Sequence, residues 1–142
     1  MRIYFAASVR GGRADAGLYR QLIRHLRKFG KVLTEHIGEP DLATKGEDGL
    51  PDQHIHSRDM KWLRLSQLVV AEVTTPSLGV GYEIGRAIEK GKPILCLFRP
   101  RRGKKLSAMI AGSPDVTLCN YRTAEEARLA IDRFFSVHTK KT

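Results

Sequence analysis

The chain reads as an α/β protein built on a doubly wound, five-stranded parallel sheet of Rossmann or flavodoxin-like type, with strand order 2-1-3-4-5. Three observations predict it. Five short apolar runs recur along the sequence, separated by segments with helical spacing or turn composition. The third run, LVVAEV, is apolar enough for the centre of a parallel sheet. No repeat or second composition regime interrupts the 142 residues, so right-handed crossovers lead to a single sheet covered on both faces. In that order the loops after strands one and three flank the switch point, where open α/β sheets bind ligands.

The elements follow in sequence. Residues 2–7, with Ile3, Tyr4 and Phe5, form the first strand, and 8–13, Ser-Val-Arg-Gly-Gly-Arg, supply turn and phosphate-loop residue types. Leu18, Leu22, Leu26 and Phe29 recur at spacings of four, four and three on one helical face, and Gly30 terminates that helix. Residues 31–35 read as the second strand, and 38–52, rich in Gly, Pro, Asp and Glu, as a long mobile loop. Ile55, Asp59, Trp62, Leu63 and Ser66 fall at helical spacing before the third strand, 68–73. A turn-rich connection, 74–81, opens a helix around 82–87. The fourth strand, 93–98, starts with Pro93, where a missing donor does least harm. A loop and the short segment 106–110 precede the fifth strand, 116–120. Thr123 and Glu126 have capping-box spacing for a last helix with Ala127, Ala130, Ile131 and Phe134 on its apolar face. One domain is expected over 1–137, with a fraying basic tail at 138–142.

Composition narrows the class of function. The chain is 42% hydrophobic and 28% charged, as ordinary globular chains are. No apolar run approaches the ~20 residues of a membrane span. The first strand begins at Arg2 with no secretory pattern ahead of it, so a cytoplasmic location is expected, with the nucleus as the other option. Cys96 and Cys119 lie in apolar segments without disulfide density or zinc-site spacing and read as reduced core residues. Lys and Arg total 25 against 15 Asp and Glu, a net charge of +10, which favours an anionic partner. Those basic residues divide between Arg20, Arg24, Arg27 and Lys28 on the early helix and RPRRGKK at 99–105. A solvated face and a polar loop account for them at least as well as a nucleic-acid groove.

Four groups can carry chemistry. In the first loop, Ser8, Arg10, Gly11, Gly12 and Arg13 combine a hydroxyl, two cations and exposed backbone N–H groups ahead of a helix, a set suited to a phosphate or to an ordinary exposed turn. Neither GxGxxG nor Walker spacing is present, which disfavours dinucleotides and ATP. In the third loop, Ser77, Gly79 and Gly81 lead to Glu83 near a helix start, where the helix dipole keeps a carboxylate ionised; it suits a nucleophile or simply complements the dipole. Asp59, in an apolar-patterned helix, supplies a second carboxyl, and two carboxyls in different surroundings are what a retaining glycosidase needs; pairing with Arg58 or Arg64 is the plainer reading. Tyr4 is either a satisfied core phenol or the group that orients a cleft carboxylate. His36, His54 and His56 lack the companions of a metal site.

Tyr4 and Phe5, SVRGGR at 8–13, VLTEH at 32–36, VVAEVTTPSLGVGYEIGRA at 69–87, PILCLFRP at 93–100 and LSAMI at 106–110 together closely resemble the 2′-deoxynucleoside 5′-phosphate N-hydrolases, of the wider nucleoside 2-deoxyribosyltransferase group. The likeness runs in order over residues 3–135 and is poor over 38–52. It implies a homodimer that cleaves the N-glycosidic bond of a 2′-deoxynucleoside 5′-monophosphate through a covalent deoxyribosyl-glutamate, without metal or organic cofactor. By position, Glu83 is then the nucleophile. Asp59 is the acid for the departing base or a contact for a sugar hydroxyl, and Tyr4 orients Glu83. The phosphate falls to Ser8, Arg10, Gly11, Gly12, Arg13 and Ser77, with Ser107 of the partner subunit. Ala7, Val9, His36, Gly79 and Met109 of the partner subunit are further substrate contacts. Ala7 departs from the family pattern, which has glycine there; a positive φ would strain it. The competing readings are a deoxyribosyltransferase, a CMP-type ribonucleotide N-glycosidase and, from another class, a non-catalytic nucleic-acid module. The PGGxGTxxE pattern of cytokinin-activating phosphoribohydrolases is absent.

Overall fold

The computed structural model describes residues 1–9, 15–38 and 49–139 and contains one five-stranded parallel sheet in the order β2-β1-β3-β4-β5. The strands are β1 (Arg2–Ala6), β2 (Lys31–Val32), β3 (Leu68–Glu72), β4 (Ile94–Phe98) and β5 (Thr117–Asn120). The helices are α1 (Ala16–Leu26), α2 (Asp52–Leu65), α3 (Leu78–Glu89), the single turn α4 (Ala108–Ala111) and α5 (Ala124–His138). Fold class and strand order agree with the expectation from sequence.

Alternation along the strands divides the core into two layers. Ile3, Phe5, Val70 and Leu97 point to one side, where they pack with Leu22 and Leu26 of α1 and Ile131 and Phe135 of α5. Tyr4, Ala6, Val69 and Cys96 point to the other, with Leu63 of α2 and Val80 and Ile84 of α3. Every residue of β3 and β4 is buried, as strands covered on both faces must be. Among the described residues no helix is long and apolar enough to cross a membrane.

Several boundaries differ from the sequence reading, each for a local reason. Helix α1 ends at Leu26, and Gly30 serves a different purpose: a Cβ there would lie 2.3 Å from the Met1 carbonyl oxygen, so only glycine lets the turn approach β1. Strand β2 stops at Val32 because the Thr34 hydroxyl takes over its partner's backbone groups, donating to Phe5 O at 2.7 Å and accepting from Phe5 N–H at 2.9 Å. The chain then coils into a 3-10 turn, Glu35–Gly38. Of the expected long loop, 39–48 lie outside the described residues, and Asp52 already belongs to α2. Cys96 is buried, and burial pushes its thiol up to about 12. Cys119 packs against the core but is only partly buried, because β5 closes the sheet as an edge strand. At α5 the Thr123 hydroxyl accepts from Glu126 N–H at 3.2 Å, while the Glu126 carboxylate takes the Arg122 N–H at 2.7 Å, one residue earlier than the standard box. The helix continues through His138, and 140–142 lie outside the described residues.

One carboxylate is buried among these elements, Glu72 at the end of β3. Burial raises its pKa above the ordinary 4.5, against the opposing pull of hydrogen bonds from Tyr121 and Thr74. Below 4.5 folded and unfolded chains both hold this proton and its contribution to stability is complete. As pH rises through the folded value that contribution is lost, since the unfolded chain has already released the proton. Denaturant midpoints across a pH series are expected to fall with pH more steeply in the unsubstituted protein than in Glu72→Gln; parallel curves would contradict this.

Candidate active site

A cleft of about 650 Å³ opens between α2, the N-terminal half of α3 and the residues that follow β1. It lies at the carboxyl edge of adjacent strands β1 and β3, whose outgoing connections lead to helices on opposite faces of the sheet, the switch point of this topology.

Glu83 reaches the cleft from α3. The Ser77 hydroxyl caps this helix, accepting from Val80 N–H at 3.2 Å, so the helix begins at Leu78, four residues earlier than its sequence suggests. A hydroxyl cap contributes about 1 kcal/mol and offsets much of the cost of Gly79 and Gly81 in the first turns. Glu83 is therefore the sixth helical residue, beyond the turn where the dipole acts. Its partner is instead the Tyr4 phenol, which donates to Oε2. Tyr4 is fully buried in the sheet, and desolvation, then the negative charges of Glu83 and Asp59, push its pKa far above 10.0. The phenol is thus a permanent donor, and both readings of Tyr4 hold together: core residue and orienting group.

Asp59 lines the same cleft from α2 and is ion-paired with Arg58, Nη2 to Oδ1 at 2.9 Å. Arg58 lies over the Trp62 ring at 4.7 Å. Of the residues at helical spacing, Leu63 and Ser66 are buried, whereas Ile55 and Asp59 line the cleft in one stripe with Asp52 and His56; Met60 and Leu63 are the buried residues of α2. His36 does not line the cleft: its ring packs on Trp62 at 5.6 Å, and Nε2 is 3.5 Å from Arg58 Nη2. His56, which the sequence grouped with His54, is at the rim, 3.1 Å from the Tyr82 hydroxyl, which also accepts from Arg86 at 2.8 Å. The i, i+4, i+7 series from Asp52 was the available signal.

Between Ala7 and Val9, which line the cleft, Ser8 is 0% exposed, and its hydroxyl has no hydrogen-bond partner among the described residues. Such a hydroxyl costs about 1–3 kcal/mol until a ligand satisfies it. Ser77, Leu78 and Gly79 bring the open N-terminus of α3 to this cleft, a set of N–H groups suited to an anion. Ala7 and Val9 line it as well. No described non-glycine residue has positive φ, so Ala7 is unstrained. Arg10, Gly11, Gly12 and Arg13 lie outside the described residues. Ser107 and Met109 line a neighbouring cavity of about 670 Å³, which shares Pro76, Ser77, Leu78 and Val80 with the cleft.

A carboxylate held by a buried phenol, a second carboxylate and the N-terminus of α3 thus share one cleft. The sequence model of the family described as Nucleoside 2-deoxyribosyltransferase matches residues 3–119. The 5-hydroxymethyl-dUMP N-hydrolase of Mus musculus is 51% identical over 140 residues, 96% of this chain and 80% of that protein. The protein of the same name from Danio rerio is 48% identical over 143 residues, 99% of each. The solved structure of the CMP N-glycosidase BcmB from Clostridium botulinum shares the fold, with a TM-score of 0.69 over 94% of this chain and 99% of that one at 19% identity. With the match extending over most of its length and half its residues shared with these relatives, the chain belongs to the nucleoside 2-deoxyribosyltransferase family.

Proposed function

We propose that this protein hydrolyses the N-glycosidic bond of 2′-deoxynucleoside 5′-monophosphates to free nucleobase and 2-deoxyribose 5-phosphate. The observation that carries the reading is one cleft lined by Glu83, anchored by Tyr4, and by Ala7 and Val9, the residues on either side of Ser8 and its unsatisfied hydroxyl. The names of the mouse and zebrafish relatives point, within this class, to a pyrimidine deoxynucleotide with a modified 5-position.

Glu83 attacks C1′ as the C1′–N bond breaks; the bonding pair leaves with the base, which takes up a proton from solvent, and a deoxyribosyl ester remains. Water then attacks C1′ of the ester, its hydroxyl joins the sugar, its other proton returns to solvent in place of the one the base took, and the carboxylate is restored. The carboxylate also stabilises positive charge that develops at C1′. Lack of a 2′-hydroxyl leaves the sugar more electron-rich, so deoxynucleotides react more readily. The Tyr4 donor holds one oxygen of Glu83 and so orients the other. Of the two roles open to Asp59, the ion pair with Arg58 favours accepting a hydrogen bond from a sugar hydroxyl. Ser8, Ser77 and the start of α3 take the phosphate, whose binding aligns the reacting atoms. The nucleophile is a side chain, so the chemistry calls for no cofactor.

The reading includes a homodimer with shared sites, to which Ser107 of the partner subunit and Met109 of the partner subunit contribute. Leu78 and Met109, 96% and 82% exposed, form an apolar patch beside Ser77, which supports burial against a second copy. The cytoplasm is the expected compartment, in keeping with two unpaired cysteines.

Incubation with a panel of deoxynucleoside monophosphates, with free base followed by chromatography, tests the proposal. Glu83→Ala is expected to lower release by at least about a thousandfold with the fold intact; near-normal turnover would reject the nucleophile. Tyr4→Phe removes one hydrogen bond to a charged group without opening a cavity, and kcat should drop about 10- to 100-fold. Mixing Glu83→Ala with Ser107→Trp subunits should restore activity that neither variant has alone, and no recovery would argue against shared sites. Adding an acceptor base distinguishes hydrolysis from transfer, since a transferase forms exchanged nucleoside.

A further inference from the structure

A second buried tyrosine–glutamate pair lies on the opposite face of the sheet and takes no part in the mechanism above. Glu72, 1% exposed at the end of β3, accepts from the Tyr121 hydroxyl just beyond β5. It also accepts from Thr74 N–H at 2.7 Å and from the Thr74 hydroxyl at 2.9 Å. The same Thr74 oxygen accepts from Arg99 N–H at 2.9 Å, just beyond β4. The Arg99 side chain then crosses to Asp15 at the start of α1, Nη2 to Oδ1 at 2.8 Å, and Arg101 reaches the other oxygen of Asp15 at 3.2 Å. One continuous network therefore joins the carboxyl ends of β3, β4 and β5 to the N-terminus of α1.

Apolar side chains would fill this space without the desolvation cost of a buried carboxylate. The location of the network supplies a reason for it. Thr74 begins the connection that carries Ser77, and Asp15 closes the connection that begins with Ser8. An acidic side chain at the start of α1 also repels an anionic ligand bound at this edge of the sheet, and the two arginines neutralise it.

We propose that Glu72, Thr74, Tyr121, Arg99 and Asp15 form a positioning network that sets affinity for the substrate's 5′-phosphate without touching it. The network ties Thr74, three residues before Ser77, to the start of α1 and cancels the charge of Asp15. This inference rests on the hydrolase reading above.

The test is steady-state base release from a deoxynucleoside monophosphate and from the corresponding phosphate-free deoxynucleoside, by the full-length unsubstituted protein, Tyr121→Phe and Arg99→Met. Thermal midpoints are measured alongside. Each substitution should raise KM for the monophosphate about 3- to 10-fold, the size of one hydrogen bond's net contribution. It should leave kcat within about twofold and kcat/KM for the phosphate-free compound unchanged, because that compound draws nothing from the phosphate end. Arg99→Lys, which keeps the charge and loses the fork, should recover part of the KM. Equal losses on both substrates, or an unchanged KM in variants that fold, would overturn the positioning role and leave the hydrolase reading standing. No base release by the unsubstituted protein would overturn both.

Discussion

The hydrogen bond from Tyr4 to Glu83 ties the sheet to the helix that carries the candidate nucleophile. Tyr4 sits opposite Val69 in the register of β1 and β3, closed over by α2 and α3, and its ring has no room to move. The carboxylate is thereby located from two directions, by the pitch of α3 and by the pleat of β1. A shift of one residue in β1 would turn the phenol toward α1 and α5 and leave Glu83 without its donor. The registry of the central strands is thus a condition of the chemistry as well as of the core.

Of the buried polar groups, Ser8, Thr34 and Glu72 lie at or beyond the carboxyl ends of strands, and Ser66 lies ahead of β3 at the other edge. Desolvating a carboxylate or hydroxyl is unfavourable anywhere in a core, so such groups persist where a ligand or a loop needs them. Ser8 lies between two residues that line the cleft. On the α1 and α5 face such groups tie together the segments from which the cleft's loops depart.

An anion-binding first loop and a candidate carboxylate after small residues in the third were legible in residue types, and the nucleotide only in the resemblance to a family. Their surroundings were less so. Glu83 looked like a helix-start residue because Gly79 and Gly81 resemble a loop; the Ser77 cap draws both into α3 and moves Glu83 past the dipole. The stripe of Ile55 and Asp59 had the right period for a helix and the wrong partner, facing the cleft instead of the core. His36 and His56 were indistinguishable by type; His36 packs on Trp62, and His56 lines the cleft from α2 beside Tyr82. Strand β2 was overestimated because a threonine can serve the ladder with its side chain as well as its backbone.

Sequence alone determined the alternation of strands and helices, the strand order and the residue types of the site, since these depend on periodicities of two and 3.6 residues and on short-range turn chemistry. The tertiary structure decided which residues meet. Tyr4 and Glu83 are 79 positions apart, and Glu72 and Tyr121 are 49 apart. The second follows from strand order and from the turn beyond β5, and the first depends on how far α3 is rotated about its own axis when it packs on the sheet. That rotation is set by the summed fit of many side chains and leaves no periodic trace in the chain itself.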